Sequence, residues 1–235
     1  MTLPVAILAG GAATRLRPIT ETVPKSLVEV AGRPFIEWQL EWLRKEGTER
    51  VVLCVGHLGE RIEEVIGDGR RFSLKVTYSY DGDRLLGTGG ALRRALPLLG
   101  ETFFVLYGDS FLTCHLAAVE AAFLKAEKLA MMTVFENKGR WDTSNVVFQN
   151  GKIVLYDKKD LSSEMRYIDY GLGVLTASVL RRYSEGEPFD LATVYTDLLK
   201  RGELAGLEVR ERFYEIGSFS GLKETEELFR SGIYS

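Results

Sequence analysis

The run Val5-Ala6-Ile7-Leu8-Ala9-Gly10-Gly11-Ala12-Ala13-Thr14-Arg15-Leu16-Arg17-Pro18, with Pro24-Lys25 a little further on, decides how the whole chain is read. Val5 to Ala9 is an apolar run of strand length that stops at two glycines. Glycine lacks a Cβ, so backbone N–H groups there can approach an anion closely. Thr14 adds a hydroxyl, Arg15 a planar fork of donors matched to phosphate oxygens, and Lys25 a compact positive charge. A buried strand, a Gly-rich turn and clustered cations make a phosphate cradle at the carboxyl end of a sheet, where open α/β folds bind ligands.

Two familiar glycine motifs are excluded. The dinucleotide fingerprint G-x-G-x-x-G is absent, because Ala12 and Ala13 stand where further glycines would be. The P-loop fails because no Gly-Lys pair follows. Gly10-Gly11 alone would be an ordinary strand-to-helix turn, but Arg15, Pro18, Pro24 and Lys25 extend it well beyond one. With them the run resembles the signature loop of the sugar-1-phosphate nucleotidyltransferases, written G-G-x-G-T-R-L-x-P-x-T-x-x-x-P-K. Gly10, Gly11, Thr14, Arg15, Leu16, Pro18, Thr20, Pro24 and Lys25 match, and Ala13 replaces the third glycine. The resemblance implies that Leu8, Ala9, Gly10, Gly11 and Thr14 bind the nucleotide, while Arg15 and Lys25 act on the reacting phosphates.

Composition narrows the alternatives. A chain of 235 residues allows one large α/β domain or two small ones, and is ample for a sizeable core. A net charge of -3 argues against a nucleic-acid scaffold, so an anion site must be basic only locally. No stretch has the apolar length of a membrane span, and the first residues lack a charged-then-apolar signal pattern. Cys54 and Cys114 have no zinc-ligand spacing and read as buried thiols. With only His57 and His115 present, a histidine-based nucleophile or metal cluster has little material.

Downstream, strands and helices alternate. Gly32-Arg33-Pro34 opens a helix to about Lys45, with Gly47 as its stop. Its Phe35, Trp38 and Trp42 widen the apolar face of Ile36, Leu40 and Leu43, and read as core. Arg50–Val55 is a second strand, a short helix runs through Ile66, and Ser73–Tyr80 alternates as a half-exposed strand. Leu85–Leu92 is a second glycine cluster opening a helix, with Thr88 placed as its N-cap. Taken alone it is equally an anion-binding concavity or a tight turn for close helix packing. It resembles the family's L-G-T-[AG]-G-A segment, which implies that Gly87, Thr88 and Gly89 lie along the nucleotide. Thr102–Tyr107 ends in Gly108-Asp109-Ser110, where the acid either caps the next turn or binds something. The resemblance implies that Asp109 is a ligand of a catalytic Mg2+. A helix over Leu116–Lys128 and a strand over Ala130–Phe135 follow.

From Asn137 to Asp160 the pattern changes to a β-hairpin, Ser144–Phe148 and Lys152–Tyr156, turned at Asn150-Gly151. Tyr156-Asp157-Lys158 resembles the family's F-x-E-K, which implies that Lys158 holds the sugar phosphate; alone, it reads as a solvated lysine. Tyr167–Val174 resembles the N-A-G-I-Y strand, which implies that Asp169 and Gly171 face the sugar; the competing reading pairs Asp169 with a nearby cation. A helix over Phe189–Lys200 and a strand over Leu204–Val209 lead to Arg212–Ser218, similar to the closing W-x-D-[IV]-G-[ST]. Glu215 takes the Asp position there, implying a second Mg2+ ligand. A helix over Leu222–Ile233 ends the chain, and no hexapeptide repeats suggest an appended β-helix.

The expectation is one α/β domain over 1–235 with a doubly wound, mostly parallel, Rossmann-like sheet and a β-hairpin inserted over the sugar site. About 1–135 would bind the nucleotide and 136–235 the sugar phosphate. The resemblance implies a cytoplasmic, Mg2+-dependent enzyme, monomer or homodimer, with no nucleic-acid or membrane partner. It would join a nucleoside triphosphate, GTP favoured, to a sugar 1-phosphate, giving an NDP-sugar and pyrophosphate. Three alternatives stand beside it. One is a uridylyltransferase on an amino-sugar 1-phosphate. Another is a metal-dependent glycosyltransferase, for which Asp81-Gly82-Asp83 has the spacing but is read as lying away from a core-strand end. The last is a silent nucleotide-binding regulator, motivated by Ala13 and Glu215.

Overall fold

Strand β1 (Val5–Leu8) carries only apolar side chains because both of its faces are covered. The computed structural model describes residues 2–11 and 14–234, the side chain of Thr14 excepted, so Ala13 lies outside the described residues. Short 3-10 turns at Thr14–Leu16, Ile19–Glu21 and Lys25–Leu27 lead to a two-stranded ladder, β2 (Glu29–Val30) with β3 (Arg33–Pro34), and then to helix α1 (Phe35–Lys45). The helix therefore starts at Phe35 and not at Gly32: Gly32 turns the ladder at φ +77°, and Pro34 is still extended. The chain continues through β4 (Arg50–Val55), α2 (Gly59–Ile66), β5 (Lys75–Tyr80), α3 (Gly87–Leu99) and β6 (Thr102–Tyr107). Next come β7 (Ser110–Phe111), α4 (Leu116–Ala126), β8 (Ala130–Glu136) and the hairpin β9 (Val146–Gln149) with β10 (Lys152–Tyr156). The remainder is β11 (Tyr167–Thr176), α5 (Ala177–Leu180), α6 (Leu191–Lys200), β12 (Leu204–Val209), β13 (Tyr214–Glu215) and α7 (Phe219–Arg230).

Nine strands form one sheet in the order β10-β9-β11-β6-β1-β4-β5, with β8 also pairing β11, and β12 pairing β8. The run β6-β1-β4-β5 and the β8–β12 pair are parallel; β11 is antiparallel to β6 and β8. Successive residues along β1, β4 and β6 point to opposite faces and build two separate cores. Val5, Ile7, Leu53 and Phe104 meet one helical layer, whereas Ala6, Val52, Cys54 and Phe103 meet the other. This is the doubly wound arrangement expected from the alternation of strands and helices.

The α1 aromatics are core. Trp38 stacks on Phe229 of α7 with ring centroids 4.1 Å apart, and its indole N–H donates to Val30 O at 3.0 Å. Asn150 and Gly151, at φ +51° and +75°, make the hairpin turn that Asn-Gly favours. Both cysteines are free and buried, and burial pushes their thiols up to about 12, which leaves them inert.

Thr88 is not the cap of α3, which begins at Gly87. Its hydroxyl accepts from Leu191 N at 2.8 Å and donates to Asp190 Oδ1 at 3.1 Å, so it supports the start of α6. Gly89 donates its N–H to Phe189 O at 3.0 Å, and the Phe189 ring lies where a side chain at Gly89 would go. Close packing of the two helix starts is thus the use of this part of the glycine cluster. The last helix begins at Phe219, three residues earlier than its apolar pattern suggests, because Ser218 caps it by accepting from Gly221 N at 3.0 Å.

Candidate functional site

The parallel strands β1, β4, β5 and β6 end on one edge of the sheet, and the loops leaving them enclose a cleft of about 590 Å³. Gly10 is glycine because the loops after β1 and β4 touch there: a Cβ at Gly10 would sit 2.9 Å from Gly56 N. Leu8, Ala9, Gly10, Gly11, Arg15 and Lys25 all line the cleft, and Gly11 faces open space. The hydroxyl of Thr14 lies outside the described residues.

Asp109 stands at the centre. Lys25 Nζ lies 2.8 Å from its Oδ2. Burial would push this carboxyl up, but Lys25 and then Arg15 more than offset it and hold the group below the usual carboxylate range. The turn carrying Asp109 is fastened from several sides. Gly108 N donates to Leu8 O at 3.1 Å, and Asp109 O accepts from Ile216 N at 2.9 Å. Gln39, buried in α1, donates from one amide nitrogen to Tyr107 O at 3.0 Å and Ser110 O at 2.8 Å.

Glu215 reaches the same place from the far end of the chain. In the β7–β13 ladder it pairs with Ser110, the neighbour of Asp109. Its longer arm folds onto the start of α7: Oε2 accepts from Gly217 N, and Oε1 accepts from Ser218 Oγ at 2.5 Å. The positive end of that helix favours the carboxylate. The Cβ position over Gly217 lies 2.6 Å from Glu215 Oε2, 3.0 Å from Arg15 Nη2 and 3.4 Å from Asp109 Oδ2, so the three groups converge. Among the described residues no three His, Cys, Asp or Glu side chains gather as an all-protein metal cage. Two converging carboxylates beside an open cleft fit a hard cation of the Mg2+ type, which typically takes one or two carboxylates and completes its shell with water and phosphate.

At one end of the cleft, Asp169 is drawn inward by an irregular stretch of β11 between Asp169 and Gly173, where Gly171 adopts φ +92°. Asp169 Oδ2 accepts from Tyr107 OH at 2.6 Å and Tyr156 OH at 3.3 Å, and Lys158 Nζ lies 3.8 Å away. Lys158 also donates to Tyr107 OH at 3.3 Å and sits over the Tyr107 ring. Both readings of Asp169 thus meet: it lines the cleft and holds a cation there. Gly171 does not line the cleft; its open side faces Ser110, with Oγ 3.1 Å from the Cβ position. Asn145, from the loop before β9, accepts from Asp169 N at 3.0 Å and joins the lining.

At the other end stand Leu85, Gly87, Thr88 and Ala91 around Asp81; Gly89 is turned away. Asp81 follows β5 directly, so the acid is at a strand end after all. It is only 5% exposed, and Oδ2 accepts from Leu86 N at 3.0 Å. Burial raises its pKa, and the Leu86 N–H and Arg94 oppose that. The sequence reading missed Asp81, Tyr107, Asn145 and Gln39 as parts of the site. The rule that ligands gather beyond strand carboxyl ends marks Asp81, because the strand read from the sequence already ends at Tyr80.

A doubly wound sheet with a cation-lined cleft at its carboxyl edge, and two carboxylates at the centre, fits anionic phosphate groups together with a hard cation. Residues 5–152 match the family described as Nucleotidyl transferase, and the chain belongs to that family, among its sugar-1-phosphate nucleotidyltransferases. It is similar to UTP–glucose-1-phosphate uridylyltransferase of Synechocystis sp., 32% identical over 203 residues, 79% of this chain and 52% of that protein. The chain thus spans about half the length of that relative. N-acetylmuramate alpha-1-phosphate uridylyltransferase of Neisseria meningitidis serogroup B is 28% identical, over 94% of this chain and 96% of its own. D-glycero-alpha-D-manno-heptose 1-phosphate guanylyltransferase of Campylobacter jejuni is 27% identical, over 90% and 93%. Among solved structures, a Bacillus anthracis protein in complex with a sucrose shares the fold with a TM-score of 0.85 at 23% identity, over 97% of this chain and 96% of that one. HddC from Yersinia pseudotuberculosis, complexed with GMP-PN, shares it with 0.78 at 21% identity, over 97% and 100%. No helix among the described residues is long and apolar enough to cross a membrane.

Proposed function

We propose that this chain transfers the guanylyl group of GTP to a sugar 1-phosphate, forming a GDP-sugar and releasing pyrophosphate. The observation that carries the reaction class is the placement of Arg15, Lys25 and Lys158 in one cleft with Asp109 and Glu215 between its ends. Two anionic reactants must be brought together there, so neutralisation and alignment are most of the work. In this reading Arg15 grips the triphosphate, Lys25 stands at the α-phosphate, and Lys158 takes the incoming sugar phosphate. An oxygen of the sugar phosphate attacks the α-phosphorus in line, forming the new P–O bond. The bond from the α-phosphorus to the bridging oxygen breaks, and its electrons leave with pyrophosphate. A phosphate monoester is mostly ionised near neutral pH, so no general base is required. Asp109 and Glu215 would hold Mg2+, which when bound supplies charge neutralisation at the α-phosphate.

Asp81 supports guanine. An ionised carboxylate only accepts hydrogen bonds. Guanine offers adjacent N1–H and N2–H donors, whereas uracil and thymine offer one N–H flanked by two carbonyls that the carboxylate repels. Asp81 Oδ1 has no protein donor among the described residues, so it remains available to the base. The test is a matrix of GTP, UTP, dTTP and CTP against mannose, glucose, heptose and N-acetylmuramic acid 1-phosphates, reading pyrophosphate release. GTP should be used best in wild type and lose its advantage in Asp81→Asn. Equal use of UTP and GTP by wild type would overturn the base assignment, and no release with any pair would overturn the reaction.

A further inference from the structure

Gln39 has no place in the reaction just described, yet it is fully buried in α1 and surrounded there by the apolar side chains of one core. Its amide nitrogen donates to Tyr107 O and Ser110 O, the two carbonyls that bracket Gly108-Asp109. Both partners are acceptors, so the NH2 end must face them. Oε1 is then left buried without a hydrogen-bond partner among the described residues. A buried amide that leaves its own oxygen unsatisfied is an arrangement with a stability cost, and such groups call for a reason beyond stability.

The reason is visible in the turn. Tyr107 O and Ser110 O are held from the α1 side, Asp109 O is held by Ile216 N–H from the β13 side, and Gly108 N–H is held by Leu8 O. The backbone on both sides of Asp109 is therefore pinned, and the Asp109 carboxylate is directed at Lys25 and toward the point it shares with Glu215 and Arg15. Of these fastenings, only the bonds from Gln39 come from a side chain.

We propose that Gln39 is a positioning residue, whose two hydrogen bonds set the Asp109 carboxylate in the geometry that binds the metal–triphosphate. For the reaction it rests on the function proposed above; for metal binding it stands on the turn alone. Partners that orient a metal ligand from behind typically change metal affinity or activity by about 10- to 100-fold.

The test uses the full chain with Gln39→Met, which keeps an unbranched side chain of similar length but removes both donors, and Gln39→Leu as a second variant should Met fail to fold. Mn2+ binding in the presence of GTP is read by electron paramagnetic resonance, beside Mg2+-supported turnover and thermal unfolding. The expected result is Mn2+ affinity weakened about tenfold or more and kcat lowered by a similar factor. KM for the sugar 1-phosphate should stay within about twofold, because Lys158 is held by other partners, and a folded transition should be retained. Wild-type Mn2+ affinity in both variants would overturn the proposal, as would activity lost only in proportion to the unfolded fraction. A wild-type chain that binds Mn2+ with GTP but releases no pyrophosphate defeats the proposed reaction and leaves the Mn2+ comparison decisive for Gln39. A wild type that binds no Mn2+ defeats the positioning role directly.

Discussion

Removing one oxygen atom from Tyr107 probes the end of the cleft where Asp169 and Lys158 stand, without disturbing its shape. The Asp169 side chain is 4% exposed, so its charge is offset mainly by what surrounds it. Tyr107 OH donates to Oδ2 at 2.6 Å, Tyr156 OH at 3.3 Å, and Gly171 N donates to Oδ1 at 3.2 Å. Burial, and then the Asp169 charge, push the Tyr107 hydroxyl well above its usual range, so it remains a donor at any working pH. A hydrogen bond to a charged group contributes about 1.5–3 kcal/mol, and the short Tyr107 bond is the best of the set. Because Tyr156 and Gly171 remain in Tyr107→Phe, the lower part of that range applies, about 1.5–2 kcal/mol. For a chain of this size that is a fall in Tm of about 3–8 °C. Tyr156→Phe, which removes the longer bond, should cost less. Calorimetric or circular-dichroism melts of the three proteins decide the matter. A Tm within about 1 °C of wild type for Tyr107→Phe, or a larger fall for Tyr156→Phe, would refute the assignment of Asp169 as a charge held chiefly by Tyr107.

Lys158→Ala should raise KM for the sugar 1-phosphate by about 10- to 100-fold, the value of one charge-assisted hydrogen bond, with little change in KM for the triphosphate; an equal effect on both in steady-state kinetics would return Lys158 to the solvated surface. Glu215→Gln should lower turnover by about 10²-fold, whereas Glu215→Asp keeps the charge, gives up contacts to Gly217 N–H and Ser218 OH, and should retain partial activity that Mn2+ supports better than Mg2+. Asp109 has its folded pKa depressed, so its contribution to stability is present above the unfolded carboxylate value of about 3.9 and is lost as pH falls through the lower folded value. Urea midpoints should therefore decline less steeply below about pH 4 in Asp109→Asn than in wild type, with the two curves parallel near neutrality.

Strands β4 and β6 lie where their apolar runs place them, because each run is buried and stops at a glycine, Gly56 or Gly108. The two-residue ladders β2–β3 and β7–β13 are too short to carry a period, yet the second is what sets Glu215 beside Ser110. Arg15 and Lys25 were legible because one long motif names them, and Asp109 and Glu215 because two shorter ones do; the folded chain brings all four to one cleft. Thr88 misled because a hydroxyl ahead of an apolar run looks like a local cap; its partners are Asp190 and Leu191, roughly a hundred residues later. Gln39 and Tyr107 were hidden for the same physical reason. One sits on a helix face and the other at a strand end, and only tertiary contacts, Gln39 to the 107–110 turn and Tyr107 to Asp169, give either a task.

The most direct measurement follows the α-phosphorus. GTP carrying radioactive phosphorus at the α-position is incubated with the full chain, Mg2+ and mannose or heptose 1-phosphate, and the products are separated by anion exchange. Label is expected in a GDP-sugar that survives phosphatase, with unlabelled pyrophosphate released in equal amount. Label that stays in GTP, or that arrives in free GMP without sugar attached, would contradict it.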